Sequence, residues 1–109
     1  MKLLKILLTI YLLLAVLLHV YDFFSGLTEE GLFSHLLHLL SYGLSAFLLW
    51  FRLPWNGGLM VLACLYPFGY HLHCALQQAA EGEIAWICLL VVLLQPLLLL
   101  VFFRQRSGG

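Results

Sequence analysis

Charge is scarce in this sequence. Only 9% of its 109 residues are Asp, Glu, Lys or Arg, against roughly 25% in a soluble globular domain. The two signs balance, and the formal net charge is zero. No basic field exists for nucleic acid, and no charged tail is present. Cysteine is sparse too: Cys64, Cys74 and Cys88 form no CxxC pair. An odd number cannot all pair within one chain, which argues against a disulfide framework. The vicinal cysteine pairs of a quinone-reducing thiol oxidoreductase are missing. So are a glycine-rich phosphate loop and a Ser/His/Asp signature. The chain reads as a binding protein more than as an enzyme.

What is present is apolar. Hydrophobic residues make up 64% of the chain, and the mean hydropathy is +1.06. A small domain leaves much of its surface exposed, so the solvent for this one must be a lipid bilayer. Four apolar runs cover about residues 3–24, 32–51, 59–78 and 84–103. Each is close to the roughly 20 residues a spanning helix needs. Barrel strands would alternate apolar and polar, and these runs do not. The expected fold class is an all-α membrane protein, a single domain over residues 1–109. Short breaks force antiparallel neighbours, so the bundle should run up-down-up-down. The break before the third run, Arg52-Leu53-Pro54-Trp55-Asn56-Gly57-Gly58, carries a turn signal. The first run resembles a signal peptide in its Lys2 and Lys5. The stretch that follows, His19-Val20-Tyr21-Asp22, lacks a small-x-small cleavage pattern, so an uncleaved span is expected.

The charges come in blocks whose sign alternates at every span. Lys2, Lys5, Arg52, Arg104 and Arg106 fall on one side, and Asp22, Glu29, Glu30, Glu81 and Glu83 on the other. The positive-inside rule puts both termini in the cytoplasm of a bacterial-type inner membrane. Trp50 and Trp55 then flank the cytoplasmic loop, and Trp86 sits near the outer surface, at the level indoles prefer.

Against this background one stretch stands out: Tyr66-Pro67-Phe68-Gly69-Tyr70-His71-Leu72-His73-Cys74. Ionisable groups at membrane depth are costly and are functional suspects. Counting about 1.5 Å per residue from the outer ends, His19, His35, His38, His71 and His73 all lie within roughly 5–11 Å of the outer boundary. They also share faces. In the second run, Ser34, His35, His38, Ser41, Tyr42 and Ser45 fall within an arc of about 120°, so this face should look into the bundle. His19 and Asp22 share a face in the first run, and His71 and Cys74 in the third. Spacing of three residues stacks two side chains on one face, and bundles build metal sites from such pairs on facing helices.

The expected function is the binding or handling of a transition metal or haem near the outer leaflet. Imidazole suits Zn, Cu and Fe, and a thiolate shifts preference toward Cu(I) or Zn. The candidate metal ligands are His19, His35, His38, His71, Cys74 and Asp22, with Asp22 alternatively orienting a ligand ring. His38 and His71 are the firmest, and they are also the pair that would hold a b-type haem axially. Two alternatives stand beside this. One is a non-catalytic accessory subunit of a larger membrane complex, or a self-associating protein, whose polar faces meet a partner. The other is a small proton-coupled transporter with His and Asp as its relay.

Overall fold

The computed structural model describes residues 2–26, 31–51 and 56–107. Glu29, Glu30, Arg52, Pro54 and Trp55, which entered the charge and loop reading, lie outside them. The described residues form four α-helices: α1 Lys2–Ser25, α2 Leu32–Trp50, α3 Asn56–Ala80 and α4 Trp86–Ser107. All four are long and apolar enough to cross a membrane.

The helix ends follow local chemistry. Gly26 has φ +66° and donates its N–H to the Asp22 carbonyl at 3.0 Å, a left-handed cap that glycine adopts without a Cβ penalty. Gly82, at φ +81°, closes α3: its N–H reaches the Ala79 carbonyl at 3.0 Å, and the Glu83 N–H reaches that of Gln78 at 2.8 Å. This paired pattern satisfies carbonyls that a helix end leaves open. The turn expected at Asn56-Gly57-Gly58 is instead the first turn of α3. Glycine and asparagine are tolerated there because the first N–H groups need no intrahelical acceptor. Similarly, α3 continues through Ala79 and Ala80, while Ile84 and Ala85 precede α4.

Polarity is inverted relative to a soluble bundle. Outward-facing side chains are aliphatic: Leu17 is 63% exposed, Leu62 65% and Leu93 71%, while His38, Ser45 and Gln95 are at most 1% exposed. Such a surface is stable in lipid and would be an aggregation patch in water. The polar face of α2 does turn inward: His35, His38, Ser41, Tyr42 and Ser45 are all buried.

Cross-helix contacts give the directions. Trp50 donates to Thr9 at 2.7 Å, and His19 meets His35 at 3.3 Å, so α1 and α2 are antiparallel. Gln95 meets Tyr11 at 2.8 Å, and Lys2 and Lys5 share a cleft with Val101 and Gln105, so α4 also runs against α1. His71 meets Cys88 at 3.4 Å, and Cys64 lies by Gln95, which orients α4 against α3. The apolar core, centred on Leu8, Leu12, Leu49, Met60, Leu98 and Phe102, occupies the half that holds Lys2 and Trp50. Gln105 caps it by donating to the Leu49 carbonyl at 2.8 Å. The other half holds the histidines.

Candidate metal centre

His38 is the hub. It is completely buried, and aromatic rings surround it. His19 stacks on it with centroids 4.3 Å apart and planes 13° apart. Tyr70 stands edge-on at 4.7 Å, Tyr66 lies at 4.8 Å, His71 at 5.3 Å and Tyr42 at 5.8 Å. Three helices therefore deliver rings to one point. The placement comes from register: His38 and Tyr42 sit one turn apart on α2, as do Tyr66 and Tyr70 on α3, and such neighbours share a face.

His19, His38 and His71 each offer a ligating atom, and these three atoms lie within 4.8 Å of one another. The three residues are close enough to hold a metal ion. With Zn–N bonds near 2.0–2.1 Å, tetrahedral nitrogens sit about 3.3 Å apart. To hold a tetrahedral ion the rings would have to draw together by roughly 1 Å or more.

Hydrogen bonds constrain which nitrogen is presented. Nδ1 of His38 lies 3.0 Å from the Ser34 carbonyl oxygen. A carbonyl only accepts, so Nδ1 carries the proton and Nε2 the lone pair. His71 meets the Tyr42 hydroxyl through Nε2 at 3.3 Å and the Cys88 sulfur through Nδ1 at 3.4 Å. With Nδ1–H donating to sulfur and Tyr42 O–H donating to Nε2, its lone pair also lies on Nε2. Nδ1 of His19 faces Nδ1 of His35 at 3.3 Å, so one ring of that pair donates and the other accepts. When His19 donates, all three histidines carry their lone pair on Nε2, that of His71 being engaged by the Tyr42 O–H, which an ion would displace. Anchoring the far nitrogen in this way is how metal-binding histidines are usually oriented.

Other residues expected at the site take different positions. His35 is buried, 2% exposed, and is not one of the three; it orients His19. Asp22 is half-buried and also stands outside the group, its carbonyl accepting from Ser25 and Gly26. Cys74, half-buried, is not one of the three. His73 is exposed on the outer surface of α3. The tyrosine box of Tyr42, Tyr66 and Tyr70 was not foreseen as part of the centre. Its signal was present in the four-residue spacing of Tyr66 and Tyr70 beside His71. Tyr66 is fixed by a 2.7 Å hydrogen bond to Ser34, which in turn holds His38 through its carbonyl.

Comparison with protein-family models, with curated proteins and with solved structures found no match to this chain.

Proposed function

We propose that this chain is a small integral membrane protein that binds a first-row transition metal ion, zinc or copper best, through His19, His38 and His71. The observation that carries the reading is the convergence of three buried imidazoles from three helices within 4.8 Å. Imidazole donors suit Zn, Cu and Fe. Three protein ligands leave a fourth position for a small exogenous group or an incoming ion. A bare ion fits better than a haem. A macrocycle between His38 and His71 would need a slot, and rings at 4.3–5.8 Å already surround His38.

The orientation belongs to the same proposal. Lys2, Lys5 and Arg104 cluster at one end of the sequence-ordered spans, and Asp22, Glu81 and Glu83 at the other. By the positive-inside rule both termini are cytoplasmic and the centre lies beneath the outer face of a bacterial-type inner membrane. The nearby acids would favour cation approach from outside.

The test is elemental analysis of the protein purified in mild detergent and loaded with zinc or cuprous ion. Near-stoichiometric metal is expected, and His38→Ala/His71→Ala should abolish it. Protein that is folded and resists loading would end this reading. Proton-coupled transport has one observation in its favour, the hydrogen-bonded series from His35 to His19, and predicts flux without metal retention. An accessory role predicts co-purification with a larger membrane protein that histidine substitutions weaken.

A further inference from the structure

At the end of the bundle away from the histidines, a cleft of about 280 Å³ opens between α1, α2 and α4, lined by Lys2, Lys5, Trp50, Val101 and Gln105. All five stand within about two turns of a helix end. For a spanning helix that is the level of the lipid headgroups, where indoles and lysines collect. Leu3 and Ile6, beside the two lysines in sequence, are 69% and 37% exposed, so the cleft borders the lipid-facing surface.

Lys5 is held in place. Its ammonium lies 4.0 Å over the Trp50 ring. The indole N–H donates to Thr9 at 2.7 Å, and Thr9 donates to the Lys5 carbonyl at 2.8 Å. An indole face offers a quadrupole rather than an anion, and the ammonium keeps N–H donors for one. Among the described residues no acid stands at this end: Asp22, Glu81 and Glu83 belong to the other. Asp22 is seventeen residues from Lys5 along α1, about 25 Å at helical rise. A helix C-terminus repels anions, and Gln105 covers that of α2 by donating Nε2 to the Leu49 carbonyl at 2.8 Å.

Two ammonium groups without a carboxylate call for an anion from outside the chain. The walls say what kind. Val101 and the Trp50 ring are apolar, and a soluble anion gains nothing from them. An amphiphile does, with its phosphate at the lysines and its carbon chain running into the bilayer. Basic pockets between membrane helices take anionic headgroups. We infer that this cleft binds the headgroup of an anionic phospholipid, the phosphate held by Lys2 and Lys5 and the first chain carbons lying against Trp50 and Val101. The bound lipid ties the start of α1 to the ends of α2 and α4. This rests on the membrane part of the function proposed above and not on the metal.

Trp50 is the reporter. A full-length Trp55→Phe/Trp86→Phe protein keeps it as the sole tryptophan. In phosphatidylcholine vesicles, a minor fraction of brominated-chain phosphatidylglycerol or phosphatidylcholine is added, and quenching by the two is compared as a ratio, which cancels changes in indole exposure. The ratio should favour phosphatidylglycerol at least fivefold, since one lysine at an anionic lipid contributes about a factor of five. Lys5→Gln and Lys2→Gln should each cut that preference about threefold or more, and Lys5→Arg should keep it. Arg104→Gln removes the same charge from the same end but does not line the cleft, and should change the preference less than about twofold. His38→Ala should lose metal and keep the preference. Equal quenching by the two lipids would overturn the proposal in favour of ordinary boundary lipid. Equal losses in Arg104→Gln and the lysine variants would overturn it in favour of diffuse surface charge. Loss of the preference in millimolar glycerol 3-phosphate would overturn it in favour of a soluble phosphate ester. Quenching by neither lipid would remove the membrane reading itself.

Discussion

His19 and His35 face each other through their Nδ1 atoms at 3.3 Å in a buried setting. Only one of the two can hold a proton there, so the tautomers of the two rings are locked together. The proposed metal binding at Nε2 of His19 would select the arrangement in which His19 donates and His35 accepts. His35 would then do for His19 what a carboxylate does for many metal-bound histidines.

This makes His35 a positioning residue with a specific signature. His35→Leu should weaken metal binding about 10–100-fold, the usual cost of losing such a partner. His35→Asn should restore most of it, because the asparagine Oδ1 occupies nearly the place of the imidazole Nδ1 and accepts equally well. Competition titration with a chromophoric chelator reads both. Equal loss in the two variants would mean that His35 acts through packing or binds the ion directly.

The triad also sorts the sequence candidates. His38→Ala should lower metal affinity by about a hundredfold or more, because three ligands are the minimum for an open site. Cys74→Ser, Asp22→Asn and His73→Ala should each leave it within about threefold, since none belongs to the triad and substitutions away from a site's own contacts have small effects. A collapse of affinity in Cys74→Ser would move the centre toward the Cys74/Cys88 pair.

How much of this was readable beforehand follows from what each signal measures. Four helices were legible because apolar runs near twenty residues admit little else. The inward face of α2 was legible because Ser34, His35, His38, Ser41, Tyr42 and Ser45 obey one helical arc and a lipid-facing surface cannot carry them. The shared level of His19, His38 and His71 followed from counting residues. Rotation was less firmly readable in α3, whose polar residues spread over two adjacent faces and whose final setting depends on packing between helices. Even so, the face shared by His71 and Cys74 pointed to His71 rather than His73, and His71 does join the group while His73 is exposed. The sequence could not tell that Cys74 stays outside the group of three, or that His35 meets His19 through Nδ1.

Acid should empty the centre. Each ligand must be neutral to bind a metal, so protons compete with the ion. Free imidazole titrates near 6.5. The sign is therefore loss of affinity as pH falls, steeper than for a single histidine because three rings are involved. The close stack of His19 on His38 adds to this, since two charged rings at that spacing repel. Retained metal measured by gel filtration and elemental analysis between pH 8 and pH 5 checks it. A flat profile would argue that histidines do not hold the ion.

The opposite end of the bundle offers a stability test free of the chemistry. Trp50 donates its indole N–H to Thr9 at 2.7 Å, and the Lys5 ammonium stands 4.0 Å over its ring. Thr9 in turn donates to the Lys5 carbonyl at 2.8 Å, so the three residues tie the start of α1 to the end of α2. Trp50→Phe removes the N–H and weakens the ring's hold on the cation. A net hydrogen bond contributes about 0.5–1.5 kcal/mol, and an exposed cation–π contact about 0.5–1 kcal/mol. Trp50 is 45% exposed, which places both effects low in these ranges, and a total near 1 kcal/mol is expected. Metal affinity should not change. His19 is ten residues from Thr9 along α1, about 15 Å at helical rise, and sites so separated act independently. Thermal unfolding in detergent measures the first quantity and chelator competition the second. A Trp50→Phe protein of unchanged stability would show that lipid or detergent, rather than Thr9 and Lys5, holds the indole.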